Sequence, residues 1–459
     1  MKNVNYLFIT LIICFCFVNQ HGFDSDWNVY ILDYYLNTGL LYNTLFEITP
    51  SFSRLYYFFH ASLLSVIDHP NSFVFQNIIF SLIGFTSFNL TLKNLEVDKS
   101  SRLLLLILFI TLGISSGILT NSRMEIVYIN LIYVQFLILT SNLDNHKYLK
   151  LFMIGLIGVI SFSSHPNGII SLALFIVHAI FTINRQNLLK ILMVCVLLII
   201  ILNYTLFYNI SPVEFYTSLV SQKNSPGYSM PWFMEYKRYS HLFKESIEVS
   251  IIIIFITSLL LINTKIRLKN LILLHKIYHY KIILIITLIT IIYLTFFNGS
   301  KISFWYISLL FPPVLIILNY LIRDLSENQK KHFLYFFMIL NFYLISHKVI
   351  SNEIFLIKYT PSSISEKFNR VNKLIEITDT YSSNNLSVDP EIYTLFRNSL
   401  NFHDLQILQT KNFNHNYSDF VITRYNNYRD QLKSSDYILI ETFKLNRLNY
   451  VILKPLSNN

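Results

Sequence analysis

Long apolar runs recur along almost the whole chain, and they limit its fold more than any motif does. Segments near 5–20, 72–92, 103–121, 124–140, 149–164, 167–183, 188–208, 246–263, 281–297, 303–322 and 332–349 are dominated by Leu, Ile, Val and Phe. A helix needs about 20 apolar residues to cross the hydrocarbon core. No water is available there, so every backbone N–H and C=O must be paired within the segment, which favours helix. The pattern predicts a polytopic α-helical membrane protein with about eleven spans.

Composition points the same way. Of 459 residues, 53% are hydrophobic and only 14% charged, against about 25% charged in soluble domains. The net charge of +10 sits in short clusters between the runs. That fits loops on an anionic leaflet rather than nucleic-acid binding. Cys14, Cys16 and Cys195 all lie in apolar segments and predict no disulfide framework. Lys2 and the first run resemble a secretory signal, but "FCFVNQ" (residues 15–20) lacks the small-residue cleavage pattern. The expectation is an uncleaved span.

Loop charge sets the predicted sidedness. The segment 52–67, "FSRLYYFFHASLLSVI", is short, aromatic and bounded by Arg54 and Asp68. It reads as a further span or as a helix lying in the interface. With it in the interface, Lys93–Arg102, Asp144–Lys150, Asn184–Lys190, Lys265–Lys281 and Arg323–Lys331 all fall on one side, and these loops hold most of the loop Lys and Arg. That side is then the cytoplasm, which also takes the N-terminus. The other side takes 21–71, "NSRM", "SSHPNG", 209–245, "NGSK" and the tail. Near residue 350 the chain turns polar. Short alternating runs ("LSVD", "DFVIT", "DYILIETF", "NYVILK") and the helical patch "SEKFNRVNKLIEIT" predict a small α/β domain over 350–459 after a membrane domain over 1–349.

Polar groups then gather at the outer face. Asp24 and Asp26 open the first loop in "FDSDW". Arg123 and Glu125 sit in "TNSRMEI", His165 in "SSHPNG", and Lys301 at the head of "KISFWYISLLFPP". Ionisable groups at membrane depth are costly and tend to be functional. Each has a plainer reading. The two aspartates suit solvated charge or a helix cap for "WNVYILDYYL". Arg123 with Glu125 suits an ion pair closing a turn, His165 before Pro166 suits a turn residue, and Lys301 suits a snorkelling anchor.

Taken in order, these features resemble the GT-C superfamily of integral-membrane glycosyltransferases. Within it, the chain is most similar to the protein-mannosyltransferase-like and aminoarabinose-transferase-like members. The resemblance rests on a first span, an outer loop opening on Asp-x-Asp, "YILDYYLNTGLLY", and an aromatic segment after Pro50. It continues through "SRME", "SSHPNG" and the Lys301 segment ending at Pro312 and Pro313, so it covers residues 1 to about 320. Relatives often carry adjacent Asp-Glu, whereas this chain has Asp24-Ser25-Asp26, and the usual Pro-Pro before the second interfacial helix is Pro50 alone. Spacing to Gly39 favours Asp24 as the equivalent acid, and spacing to Tyr30 favours Asp26.

The resemblance implies sugar transfer from a polyprenyl-phosphate donor to a glycan, lipid or protein acceptor on the extracytoplasmic face of a bacterial plasma or inner membrane. Asp26 or Asp24, with Glu125, would serve catalysis. Arg123, His165, Lys301 and Tyr30 would bind substrate, the cations neutralising the leaving phosphate. Some relatives hold a divalent cation, Mg or Mn, and here Asp24, Asp26 and Glu125 would be its ligands. The Pro-rich segment 209–245 reads as a lid or as an interfacial loop. Two other function classes compete. O-antigen polymerases and ligases carry their large, arginine-bearing outer loop late in the chain. A transporter or flippase expects mid-depth acids and an internal repeat, and neither is seen.

Overall fold

A computed structural model describes residues 2–17, 71–115, 125–143, 146–182, 187–207, 277–296, 308–323 and 325–351, the strand segments 386–389, 405–407, 420–425, 437–445 and 448–456, and isolated positions 32, 36, 59, 62, 63, 255 and 258. The chain divides into two compact units. One is Met1–Gln20 with Ser51–Asn352; the other is His21–Pro50 with Glu353–Asn459.

The first unit is helical. Among the described residues it contains α1 (Lys2–Phe17), α2 (Asn71–Asn94), α3 (Lys99–Ser115), α4 (Glu125–Thr140), α5 (Lys147–Ser164), α6 (Ile169–Thr182), α7 (Leu188–Phe207), α8 (Tyr278–Phe296), α9 (Phe311–Ile322) and α10 (Glu327–Ser351). Each coincides with one of the predicted apolar runs. The run at 246–263 lies outside the described residues, except that Phe255 packs edge-on against Phe333 and Phe337 of α10. Among the described residues, three segments are long and apolar enough to cross a membrane: Phe75–Asn94, Lys147–Ser164 and Leu188–Thr205. The other helices are apolar but shorter or interrupted by polar ends. Only 11% of the Leu188–Thr205 window is buried, and α10 likewise exposes Tyr335, Ile339 and Phe342. In water such faces would be unstable apolar patches; against lipid they cost nothing.

The interior uses close packing and a few satisfied polar groups. Among the described residues the α2–α4 pair is the most extensive helix contact, and Gly84 there faces the Asn130 side chain. Phe88 of α2, Phe109 of α3 and Tyr133 of α4 form a ring cluster with centroids 5.2–5.8 Å apart. Such pairs add about 0.5–1.5 kcal/mol each beyond the burial itself. Gln135 is fully buried. Its Nε2 donates to the carbonyls of Ile154 (2.7 Å) and Ser171 (3.0 Å), and its Oε1 accepts from the Ser171 hydroxyl. One side chain therefore joins α4, α5 and α6, with its polar atoms spent on structure. Helix α7 is held to α5 at both ends, by Tyr148 donating to Asn187 and by Ser163 bonding Thr205 at 2.8 Å.

The two ends of the bundle differ chemically. The turns at one end carry Lys93, Lys99, Lys147, Lys190, Lys281 and Lys330. At that end Asp98 caps α3 by accepting from the Ser101 amide at 2.9 Å. It also accepts from Ser100 (2.9 Å) and from the buried Lys330 of α10 (3.2 Å), which bridges to Glu327. Ser326 and Gln329 form a reciprocal capping box at the head of α10. Burial alone would raise the Asp98 carboxyl. Donation from Ser101, Ser100 and Lys330 outweighs it and holds the group well below the usual carboxylate range.

A depressed folded value stabilises above the unfolded value, near 3.9, and that contribution fades as pH falls below about 4. Asp98 is partly exposed, so the charge contribution after screening is about 0.5 kcal/mol. Asp98→Asn retains a capping oxygen and isolates the charge; Asp98→Ala loses the cap as well, about 1 kcal/mol. Unfolding midpoints between pH 6 and pH 3 should fall more steeply for the natural protein than for D98N. Parallel curves would rule out this role.

The second unit contains a five-stranded sheet of order β2-β1-β3-β5-β4. The strands are β1 (Leu386–Val388), β2 (Leu405–Ile407), β3 (Phe420–Arg424), β4 (Tyr437–Leu445) and β5 (Leu448–Pro455). β1 pairs parallel with both β2 and β3, whereas β3–β5 and β5–β4 are antiparallel, the latter with an irregularity between Leu439 and Glu441. Val421, Tyr437, Val451 and Leu453 form its core. Asp389, just beyond β1, is buried and accepts from the Thr423 hydroxyl on β3 at 3.1 Å. The strand at "LQI" is absent from the expected set. The helical patch 365–378 lies outside the described residues.

Candidate functional site

The end of the bundle opposite the lysine-rich turns is where α4 begins, α5 ends, α6 begins and α8 ends. Glu125 is the first residue of α4 and is buried. A carboxylate there is favoured by the positive end of the helix. Tyr128 follows three residues later, on the same face, and is completely buried.

The α5–α6 turn meets Tyr128. His165 leaves α5 in extended conformation, and its N–H bonds the Ser161 carbonyl at 3.1 Å. Pro166 has no N–H and cannot prolong the helix ladder. A single 3-10 turn, Pro166–Gly168, closes with the Gly168 N–H donating to the His165 carbonyl at 2.8 Å. The imidazole stacks on the Tyr128 ring, with centroids 5.1 Å apart and planes 24° apart.

Asn167 ties the turn together. It is buried, and its amide nitrogen donates to Tyr128 Oη at 3.4 Å. Its carbonyl accepts from Tyr293 Oη, in the last turns of α8, at 2.8 Å. Its backbone N–H donates to His165 Nδ1 at 3.1 Å. Because Nδ1 accepts, the proton of a neutral ring sits on Nε2, which becomes the donor nitrogen. The cluster thus combines an imidazole of defined tautomer with two tyrosine hydroxyls, one helical turn from the buried Glu125 at the head of α4. Chemically, it can donate to and orient an anionic or polyhydroxylated ligand.

Of the residues expected from sequence, His165 stacks on Tyr128, and Glu125 lies one helical turn before Tyr128 at the head of α4. Asp24, Asp26, Tyr30, Arg123 and Lys301 lie outside the described residues, as does the 209–245 segment. Within 52–67, Phe59 packs edge-on against Phe80 of α2. Glu125 is the described member of the acid set expected to hold a divalent cation; among the described residues no three His, Cys, Asp or Glu gather as a metal site. Sequence reasoning missed Tyr128, Asn167 and Tyr293. The first two had local signals, the i+3 spacing from Glu125 and membership of the "SSHPNG" turn. Tyr293 had none. Compared with known proteins, the chain matches no family model, no curated protein and no solved structure.

Proposed function

We propose that the chain is a membrane glycosyltransferase of GT-C type, moving a sugar from a polyprenyl-phosphate donor to an acceptor hydroxyl on the extracytoplasmic face. The observation that carries this reading is the packing of His165 and Asn167, in the α5–α6 turn, against Tyr128, one turn along α4 from Glu125, at the bundle end away from the lysines. The positive-inside rule puts the lysine-rich end in the cytoplasm and this cluster outside. About eleven spans, interfacial helices in the first outer loop, 52–67 among them, and an extracytoplasmic α/β domain over 350–459 complete the proposed architecture.

In the reaction the acceptor oxygen attacks the anomeric carbon as its proton passes to a carboxylate, Asp26 or Asp24. The bond from the anomeric carbon to the lipid phosphate breaks, and the phosphate leaves with the electron pair. Arg123, Lys301 and the His165 Nε2–H stabilise that charge. Glu125 and Tyr30 orient the sugar. A divalent cation, Mg or Mn, held by Asp24, Asp26 and Glu125 would supply further charge neutralisation.

The test is D24N/D26N. Loss of a general base costs about 10²–10⁴ in rate, so cells carrying only this variant should accumulate a carrier-linked sugar while the protein inserts normally. Full transfer by the double variant sinks the assignment. Lipid extracts from such cells also name the donor.

A further inference from the structure

We propose that Lys147 and Lys190 hold the phosphate of an anionic glycerophospholipid at the lysine-rich end of the bundle, with an acyl chain lying along α7. Their Nζ atoms sit 5.3 and 5.2 Å from the centroid of one ring, that of Tyr148. The ring is fixed because its hydroxyl donates to Asn187 across the α5–α7 contact. A tyrosine face attracts a cation, but two ammonium groups around one ring repel each other. Among the described residues no carboxylate pairs with either lysine.

The backbone adds charge of the same sign. Helix α5 begins at Lys147 and α7 at Leu188; neither has an acid in its first turn, and His146 makes no side-chain cap to the α5 amides. Helix N-termini carry partial positive charge and orphan N–H donors, where an anion is stabilising and a lysine is not.

The apolar face below the lysines separates a lipid from a soluble anion. Met193, Leu197, Ile200 and Tyr204 follow Lys190 at steps of three and four, so they share its side of α7, and all four are exposed. A phosphate alone has no use for that track; a phospholipid uses both parts. A second copy of this chain docked symmetrically would bring like lysines together, whereas an anionic lipid neutralises them.

The experiment uses the purified full-length protein in detergent, with phosphatidylglycerol, phosphatidylcholine or inorganic phosphate added, read by thermal unfolding and by native mass spectrometry of retained lipid. Phosphatidylglycerol should raise the unfolding midpoint over phosphatidylcholine, and inorganic phosphate should not. K147Q and K190Q should each weaken phosphatidylglycerol retention about fivefold, and the pair about 25-fold. The midpoint in phosphatidylcholine should stay unchanged. K281Q, which removes a cation lying 4.4 Å from the Phe181 ring, should keep the natural response. Undiminished retention in both single variants, equal response to the two lipids, or reproduction of the shift by inorganic phosphate overturns the proposal.

Discussion

Gly168→Ala should be the most damaging glycine-to-alanine change among Gly84, Gly155, Gly158 and Gly168 of the helical unit. A Cβ there would lie 2.2 Å from the Ser161 carbonyl oxygen, 2.3 Å from its carbon and 2.6 Å from the Phe162 nitrogen. All three are backbone atoms of the last turn of α5. That turn cannot retreat cheaply. The same Ser161 oxygen accepts from His165 N–H, and Ser163 anchors the helix end to Thr205. Overpacking commonly costs about 1–3 kcal/mol, and more where backbone must move, so G168A should lose about 3 kcal/mol or more.

Gly84→Ala is the informative control. Its Cβ would sit even closer to a neighbour, 1.8 Å from Asn130 Oδ1, yet that atom ends a rotatable side chain. Asn130 can turn aside, giving up its 2.7 Å bond to the Ile126 carbonyl at a cost of about 1–2 kcal/mol. Thermal unfolding of the two variants in detergent should therefore rank G168A well below G84A, with the shorter contact giving the milder defect. The reverse ranking would mean that the α5–α6 turn is not held as described.

The same turn illustrates what a sequence discloses. Lipid demands apolar surface over a fixed length, so the helices were legible from run length alone. Their basic turns were legible because a charged lysine is costly within the hydrocarbon. Glu125 and His165 were legible for a related reason, as ionisable groups at a rim. Tyr293 was not, since its bond to Asn167 joins positions 126 residues apart, and an aromatic at the end of an apolar run has an ordinary interfacial explanation. Strand β2 is the three residues "LQI", an alternation too short to stand out from the surrounding chain; pairing with β1 makes it a strand. The capping box at Ser326 and Gln329 is a different case, because its spacing stood in the sequence ahead of an apolar run and went unread. Chemistry that depends on local spacing can be recovered from sequence, whereas a hydrogen bond across the bundle needs the fold.

Substitutions at His165 separate a ligand-binding imidazole from one that merely fills a turn. Nδ1 is occupied by the Asn167 N–H, so any donation to a leaving phosphate comes from Nε2. His165→Ala removes that donor and should lower transfer about 10²–10³-fold, the usual effect of deleting one donor to developing negative charge. His165→Gln places an amide nitrogen near the Nε2 position, and His165→Asn places its amide near Nδ1. A phosphate-binding role therefore ranks the natural protein above H165Q, and H165Q above both H165N and H165A, in cells scored for accumulated carrier-linked sugar. A turn-holding role reverses the order of the two amide variants. There the side chain is needed only to accept from Asn167, H165N should restore function better than H165Q, and defects should follow unfolding midpoints. Tyr293→Phe adds a graded check, because it removes the 2.8 Å bond that orients Asn167 without touching the imidazole. Its loss should be smaller than that of H165A and should act on KM as well as kcat, as expected when a site is loosened rather than stripped of a charge-stabilising donor.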